Sequence, residues 1–135
     1  MMKQENLAAV KGAYEAFKRG DIQTVLSIMA KDIEWTTPGQ KDLVPFVGQF
    51  KGRRAVAKFF NALAANEDVV AFEPHEFIVD GNTVVAGVYY KARVKSTGRT
   101  YEGETVHVFR FRNGKVVNFR EYLDTVRMAS AYKAA

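Results

Sequence analysis

The sequence predicts an α+β domain in which helices come first and an antiparallel β-meander follows. In the first half, apolar residues recur at three- and four-residue steps, the period of amphipathic helices. From Val69 onward, three turn signals separate four strand-like stretches: Asp80-Gly81-Asn82, Ser96-Thr97-Gly98 and Asn113-Gly114. The chain of 135 residues has the length of one domain. We therefore expect one unit, residues 1–135, in which three N-terminal helices cover one face of a curved sheet.

Each predicted helix has one apolar stripe. Gly20 ends the first helix, Asp21 can cap the second, and the third follows Gly52. A short final helix is expected after Asp124, which can cap it. The stripes are Leu7, Val10, Tyr14 and Phe17 in the first helix, Ile22, Val25, Leu26 and Met29 in the second, and Val56, Phe59, Phe60 and Leu63 in the third.

The segment 39–52 is unusually apolar for a loop. It follows a strand-like stretch from Ile33 to Thr37 that stops at Pro38-Gly39, and it contains Pro45 and several glycines. One interpretation is a lid or rim over a pocket, and the other is a loop pinned to the core. The sequence leaves both open.

The hairpin around Asn113-Gly114 decides which side chains point inward. A strict two-residue loop would place His107 opposite Arg120. A type I turn with a glycine bulge would instead place His107 opposite Phe119 and Thr105 opposite Glu121. We favour the second register because it collects the arginines on the outer face. The inner face would then carry Thr105, His107, Phe109, Val117, Phe119, Glu121 and Leu123.

The outer face of this hairpin mixes arginines with Val106, Val108 and Tyr122. Such a mixture is typical of a subunit interface. The sequence therefore predicts a homodimer formed through the outer face of the sheet.

Glu121 and His107 are the candidate chemical groups, because an acid and an imidazole would lie together on an apolar face. The carboxylate could act as a general base and the imidazole as a hydrogen-bond donor or proton shuttle. They could equally form a satisfied polar pair in an ordinary core. Trp35 and Thr37 should share the inward side of the first strand, where the indole offers a flat wall to a ring-shaped ligand.

Composition and charge exclude several classes of function. No apolar run approaches the length of a membrane span, and the first residues form an amphipathic helix pattern without a signal-peptide block. The absence of cysteine and the two widely spaced histidines argue against a metal site. The net charge of +5 is spread over several elements, so we expect no nucleic-acid partner. These features predict a cytoplasmic protein without metal or other cofactor.

Three stretches resemble the SnoaL-like branch of the nuclear transport factor 2-like superfamily: AYEAFKRGDIQTVLSIMAKDIEW, PFVGQFKGRRAVAKFF and HVFRFRNGKVVNFREYLD. The resemblance covers essentially the whole chain. It implies a cone of helices wrapped on a curved sheet, a pocket at the open end and dimers through the sheet. It also implies that Phe17, Phe59 and Leu63 line the pocket, which Tyr14 can reach or pack beside.

Function carries over from this resemblance less directly, because the fold hosts many activities. Alignment with ketosteroid isomerases places their tyrosine on Ala13, their base on Thr37 and their second acid on His107. Phe119-Arg120-Glu121 matches the aromatic-x-acid spacing of the epoxide hydrolases of this fold, but no acid stands near Val88-Tyr89-Tyr90, where they need an Arg-x-Asp pair.

The sequence thus favours an apolar pocket in a cofactor-independent isomerase or cyclase of the polyketide-cyclase-like or ketosteroid-isomerase-like kind. Glu121 would abstract a proton beside the carbonyl of a small hydrophobic compound, and His107 would stabilise the oxyanion. The alternative is a non-catalytic module that binds a small molecule or a peptide.

Overall fold

The computed structural model describes residues 2–133, with side chains from Gln4 onward. These residues form four helices and six strands. In order they are α1 (Met2–Lys18), α2 (Ile22–Ser27), β1 (Met29–Thr37), β2 (Gly48–Lys51), α3 (Arg53–Asn66), β3 (Glu67–Asp80), β4 (Thr83–Val94), β5 (Thr100–Arg112), β6 (Lys115–Tyr122) and α4 (Thr125–Tyr132).

The six strands form one sheet in the order β2-β1-β6-β5-β4-β3. The predicted α+β class with helices on one face of a curved sheet is confirmed. The expectation of a purely antiparallel sheet is wrong at one pair, because β1 runs parallel to β6. The connection between β2 and β3 contains α3 and carries the chain to the opposite edge of the sheet. The following strands return one by one toward β1, so the last of them, β6, pairs with β1 in the same direction.

The helices bury the stripes that the sequence predicted. Val10 and Tyr14 of α1 and Val56, Phe59 and Phe60 of α3 belong to the core. Asp21 caps α2 by accepting a hydrogen bond from the backbone of Thr24 at 3.2 Å, and Asp124 caps α4 in the same way. The second helix is shorter than predicted, since Met29 begins β1.

The segment 39–52 packs against the core, as one interpretation predicted, and its Phe46 also forms part of a pocket wall, as the rim interpretation predicted. Val44, Phe46 and Val47 are almost fully buried. Its last residues form β2, which pairs with β1 through Phe50 opposite Trp35. The buried side of this segment therefore helps to enclose the space between the helices and the sheet.

The hairpin register differs from the one we favoured. Asn113 and Gly114 both have positive φ angles, 51° and 78°, which the two-residue turn between Arg112 and Lys115 requires. A bulge then shifts the pairing by one residue, so His107 lies opposite Glu121 rather than opposite Phe119. The observed and the favoured registers differ by two residues. Because side chains alternate between the two faces of a strand, a shift of two leaves His107 and Glu121 on the predicted inner face.

The bulge changes one inward assignment. Val116, rather than the predicted Val117, is the fully buried valine at the start of β6. The other inward positions keep their side, and Thr105, His107, Phe109 and Phe119 are all buried. Among the described residues, no helix is long and apolar enough to cross a membrane.

Candidate functional site

A largely apolar cavity of about 800 Å³, counting its open mouth, lies between the helices and the concave face of the sheet. The part of it that the centre of a water molecule can reach is about 90 Å³, several times the space that one bound water needs. The predicted residues that the structure places in its wall are Tyr14, Phe17, Trp35, Phe59, Leu63, Thr105, His107, Phe119, Glu121 and Leu123.

Thr37 was also predicted to line the pocket, and the structure places it elsewhere. It stands at the end of β1, opposite Gly48 of β2, and is 1% exposed. Its hydroxyl has no hydrogen-bond partner among the described residues. Thr37 therefore lies on the predicted inward side of β1, but the cavity wall includes Trp35 and does not extend to Thr37.

Three polar side chains form a hydrogen-bonded row in the cavity wall. The phenol oxygen of Tyr14 lies 2.8 Å from Nδ1 of His107, and Nε2 of the same ring lies 3.0 Å from Oε2 of Glu121. The sheet register accounts for the second contact, because His107 and Glu121 are direct partners on β5 and β6. Tyr14 reaches the pair from α1 on the opposite side of the cavity.

The protonation of this row sets what it can offer a ligand. When His107 is neutral, Nε2–H donates to the Glu121 carboxylate and Nδ1 accepts from Tyr14. When His107 is an imidazolium, both nitrogens donate, and the phenol proton of Tyr14 is free to turn toward the cavity. Burial, followed by the negative charge of Glu121, raises the pKa of Tyr14 above its usual value, so the phenol stays protonated.

The alignment with ketosteroid isomerases implied that the tyrosine position falls on Ala13. Ala13 does line the cavity, and the phenol comes from its neighbour Tyr14 instead. The cavity therefore contains a tyrosine beside His107 although the aligned position holds alanine.

A second polar cluster was missed by the sequence reasoning. Glu67, at the start of β3, is 3% exposed and accepts hydrogen bonds from three phenols. Tyr90 donates to Oε1 at 2.6 Å, while Tyr101 and Tyr132 donate to Oε2 at 2.7 and 2.5 Å. Burial raises the pKa of Glu67, the three phenols oppose that rise, and the charge of Glu121 adds to it.

Aromatic rings make up much of the remaining wall. Trp35 stacks on Phe119 with ring centroids 3.7 Å apart and planes 19° from parallel. Phe119 also meets the ring of His107 edge-on at 5.1 Å. Trp35 and Phe119 are paired across β1 and β6, which fixes the stack. The indole nitrogen of Trp35 is buried without a partner among the described residues.

The sequence matches the family model of the SnoaL-like domain over residues 10–119, and the chain therefore belongs to the SnoaL-like family. No protein with curated annotation matches it.

Several solved structures share the whole fold. An NTF2-like protein from Burkholderia xenovorans LB400 is 34% identical over 97% of this chain and 98% of its own, with a TM-score of 0.87. An NTF2-like protein of unknown function from Burkholderia pseudomallei K96243 is 30% identical over 96% and 98%, also with a TM-score of 0.87. TerC, co-crystallized with polyporic acid, is 25% identical over 95% and 98%, with a TM-score of 0.81.

Proposed function

We propose that this protein is a cofactor-independent isomerase or cyclase that abstracts a proton from a small hydrophobic carbonyl compound. The observation that carries the proposal is the position of Glu121. Its carboxylate lines an apolar cavity, and its Oε2 is held 3.0 Å from Nε2 of His107. A base fixed beside an apolar space is positioned to meet the carbon acid of a ligand bound there.

In the proposed reaction, Glu121 takes a proton from the carbon next to the carbonyl. The electron pair of that C–H bond forms the carbon–carbon double bond of an enolate, and the carbonyl oxygen takes the negative charge. In an isomerisation the proton then returns from Glu121 to another carbon. In a cyclisation the enolate carbon attacks a second carbonyl of the same molecule, whose oxygen receives the proton.

The enolate oxygen needs a hydrogen-bond donor. His107 was expected to supply it, but both of its nitrogens already have partners in the free protein. We therefore extend the role to Tyr14. When His107 donates to the phenol oxygen of Tyr14, the phenol proton can turn to the substrate oxygen. In this arrangement His107 orients Tyr14 and Glu121 and does not itself touch the substrate. In the alternative arrangement His107 releases Tyr14 and donates directly to the enolate oxygen.

The test is deuterium exchange into the carbon next to the carbonyl of 1-tetralone, followed by NMR in heavy water. The parent should accelerate exchange, and Glu121→Gln should reduce the acceleration by about 100-fold or more. Glu34→Gln is the control, because Glu34 is half-exposed and outside the cavity wall. Exchange that is equally fast in Glu121→Gln would remove the proposed base.

The second candidate is a non-catalytic binding module for a small molecule or a peptide. Its support is that the row of Tyr14, His107 and Glu121 is internally satisfied, and that the aligned base position is Thr37, buried outside the wall. The structure of TerC with polyporic acid is consistent with small-molecule binding in this fold. Saturable binding of 1-tetralone without accelerated exchange would favour this candidate.

We also propose a homodimer through the outer face of the sheet. Val106 and Tyr122 are direct partners on β5 and β6 and are 39% and 52% exposed. Ile78, which is 57% exposed, continues this apolar surface through Val85 and Val108. A second copy would remove these side chains from water.

A further inference from the structure

A second polar patch lies in the cavity wall, made by the phenols of Tyr90 on β4 and Tyr101 on β5. Both side chains line the cavity. Both direct their protons to Glu67, at 2.6 and 2.7 Å. Tyr132 of α4 makes a third hydrogen bond to Glu67, at 2.5 Å, but its side chain is not part of the cavity wall.

These hydrogen bonds decide what the patch can offer a ligand. A phenol has one proton, and when that proton is committed to a carboxylate the oxygen can only accept. Thr105, in the same part of the wall, donates its hydroxyl proton to the backbone oxygen of Val88 at 3.1 Å. The wall formed by Tyr90, Tyr101 and Thr105 therefore presents hydrogen-bond acceptors and no free hydroxyl proton.

There is room beside these acceptors. Gly103 lies opposite Tyr90 on the neighbouring strand, and a Cβ added to it would meet nothing within 4 Å. Tyr90, Tyr101, Thr105 and Gly103 also border a smaller adjoining groove, which shares the first three of these residues with the cavity and has Arg127 in its lining. The missing side chain at Gly103 leaves a space into which a polar group of a ligand can extend.

We propose that Tyr90 and Tyr101, oriented by Glu67, form a hydroxyl-accepting subsite that binds an aryl or enol O–H group of a hydrophobic ligand. The subsite sets which end of the ligand approaches Glu121. It rests on the proposed function only in taking the same cavity as the binding site, and it holds for a catalyst or for a binding module.

The charges around the cavity favour a neutral hydroxyl over its anion. Glu67 and Glu121 are both carboxyl groups, and each lies close enough to act electrostatically on the other. An ionised hydroxyl would meet the lone pairs of Tyr90, Tyr101 and Thr105. The guanidinium of Arg127, which borders the adjoining groove, is already paired with Asp124 at 3.4 Å. The ligand class is therefore a neutral alcohol or enol on a fused-ring or similarly apolar body.

The experiment compares the affinities of 2-naphthol and 2-fluoronaphthalene at neutral pH by isothermal titration calorimetry. The fluorine atom matches the hydroxyl in size but cannot donate. The parent should prefer 2-naphthol by about fivefold, the value of one net hydrogen bond. Tyr90→Phe and Tyr101→Phe should each reduce this ratio, and the double variant should bring it close to one.

Two further variants distinguish direct recognition by the two phenols from an indirect effect through Glu67 or Glu121. Tyr132→Phe removes one hydrogen bond to Glu67 without changing the cavity wall, so it should keep the parent ratio. Glu121→Gln tests the competing acceptor in the same cavity, because a ratio that falls in this variant but not in Tyr90→Phe or Tyr101→Phe would place the hydroxyl on Glu121 and overturn the proposal. Tyr90→Phe, Tyr101→Phe and Tyr132→Phe should each bind 2-fluoronaphthalene as the parent does, which shows that their cavities are intact.

Several outcomes would overturn the proposal. The parent could fail to bind either compound, or could bind 2-naphthol no better than 2-fluoronaphthalene. The preference for 2-naphthol could also survive in the double variant, or be lost in Tyr132→Phe as fully as in Tyr90→Phe and Tyr101→Phe. Loss of 2-fluoronaphthalene binding in both single variants would assign the tyrosines a structural role instead. None of these outcomes depends on deuterium exchange, so the subsite can fail while the proposed reaction stands, and the reverse.

Discussion

The phenol oxygen of Tyr14 and Nδ1 of His107 lie 2.8 Å apart, although 93 positions separate the two residues in the chain. Both side chains are buried. The bond joins α1 to the middle of the sheet across the space where a ligand would bind. A ligand oxygen that takes either partner must therefore compete with a contact that also stabilises the fold.

Tyr14→Phe should lower the free energy of unfolding by about 1–3 kcal/mol, because it leaves a ring nitrogen of His107 buried without its partner. Urea denaturation at neutral pH measures the change. Glu15→Gln is the control on the same helix, since the side chain of Glu15 is 69% exposed and its loss of charge should shift stability by less than about 0.5 kcal/mol. Equal stability of the parent and Tyr14→Phe would show that the bond contributes nothing to the free protein.

Glu67→Gln should become more stable relative to the parent as the pH rises from 4 to 8. Burial raises the pKa of Glu67 above its usual 4.5, so the folded state keeps this proton to a higher pH than the unfolded state does. The stability that depends on the proton is present below about 4.5 and is lost as the pH rises through the folded pKa. Urea denaturation of both proteins across this range gives the difference. A difference that stays flat or falls with pH contradicts the raised pKa.

Alkaline pH should unfold the protein in the same step that ionises its buried tyrosines. Burial is the main cause that raises the pKa values of Tyr14, Tyr90, Tyr101 and Tyr132 above the usual 10. The folded state thus holds these protons longer than the unfolded state, and stability falls as the pH rises above 10.

Absorbance at 295 nm and far-ultraviolet circular dichroism, recorded in one pH titration, test this coupling. Most of the phenolate signal should rise as the dichroism is lost. The same titration in concentrated guanidinium chloride should return the ordinary tyrosine curve. Phenolate absorbance from four tyrosines before any loss of dichroism would refute the coupling.

Charge on the outer face of the sheet should dissociate the proposed homodimer. Val106→Lys and Tyr122→Lys place an ammonium group on two adjacent positions of this apolar surface. Light scattering coupled to size-exclusion chromatography should report a dimer for the parent and a monomer for both variants. Val126→Lys is the control, because Val126 is 72% exposed on α4 and away from this face. A parent that is already monomeric would end the proposal.

The hairpin shows how far local pattern could predict this structure. Asn113-Gly114 predicted the turn, and alternation predicted which side of the sheet His107 and Glu121 would share. The pairing itself depended on a bulge between Val116 and Asn118. Nothing in that stretch of valines marks a bulge, because either valine suits a strand, and only the packing of the sheet selects which one is buried.

The cluster around Glu67 shows why the rest of the site was out of reach. Its phenol donors lie 23, 34 and 65 residues away, on β4, β5 and α4. Each tyrosine alone is typical of an ordinary strand or helix, and Glu67 follows a helix like many solvated acids. The nearest sequence signal was an acid beside the apolar stretch that opens β3, which does not distinguish a buried carboxyl from an exposed one.

The stack of Trp35 on Phe119 has a practical consequence for the study of this protein. The chain has a single tryptophan, and its indole forms part of the cavity wall. Ultraviolet emission excited at the red edge of tryptophan absorption therefore comes from one known position beside the site. Filling, emptying or wetting of the cavity changes the surroundings of that indole and shifts its emission. The unlabelled protein thus contains its own optical reporter of occupancy.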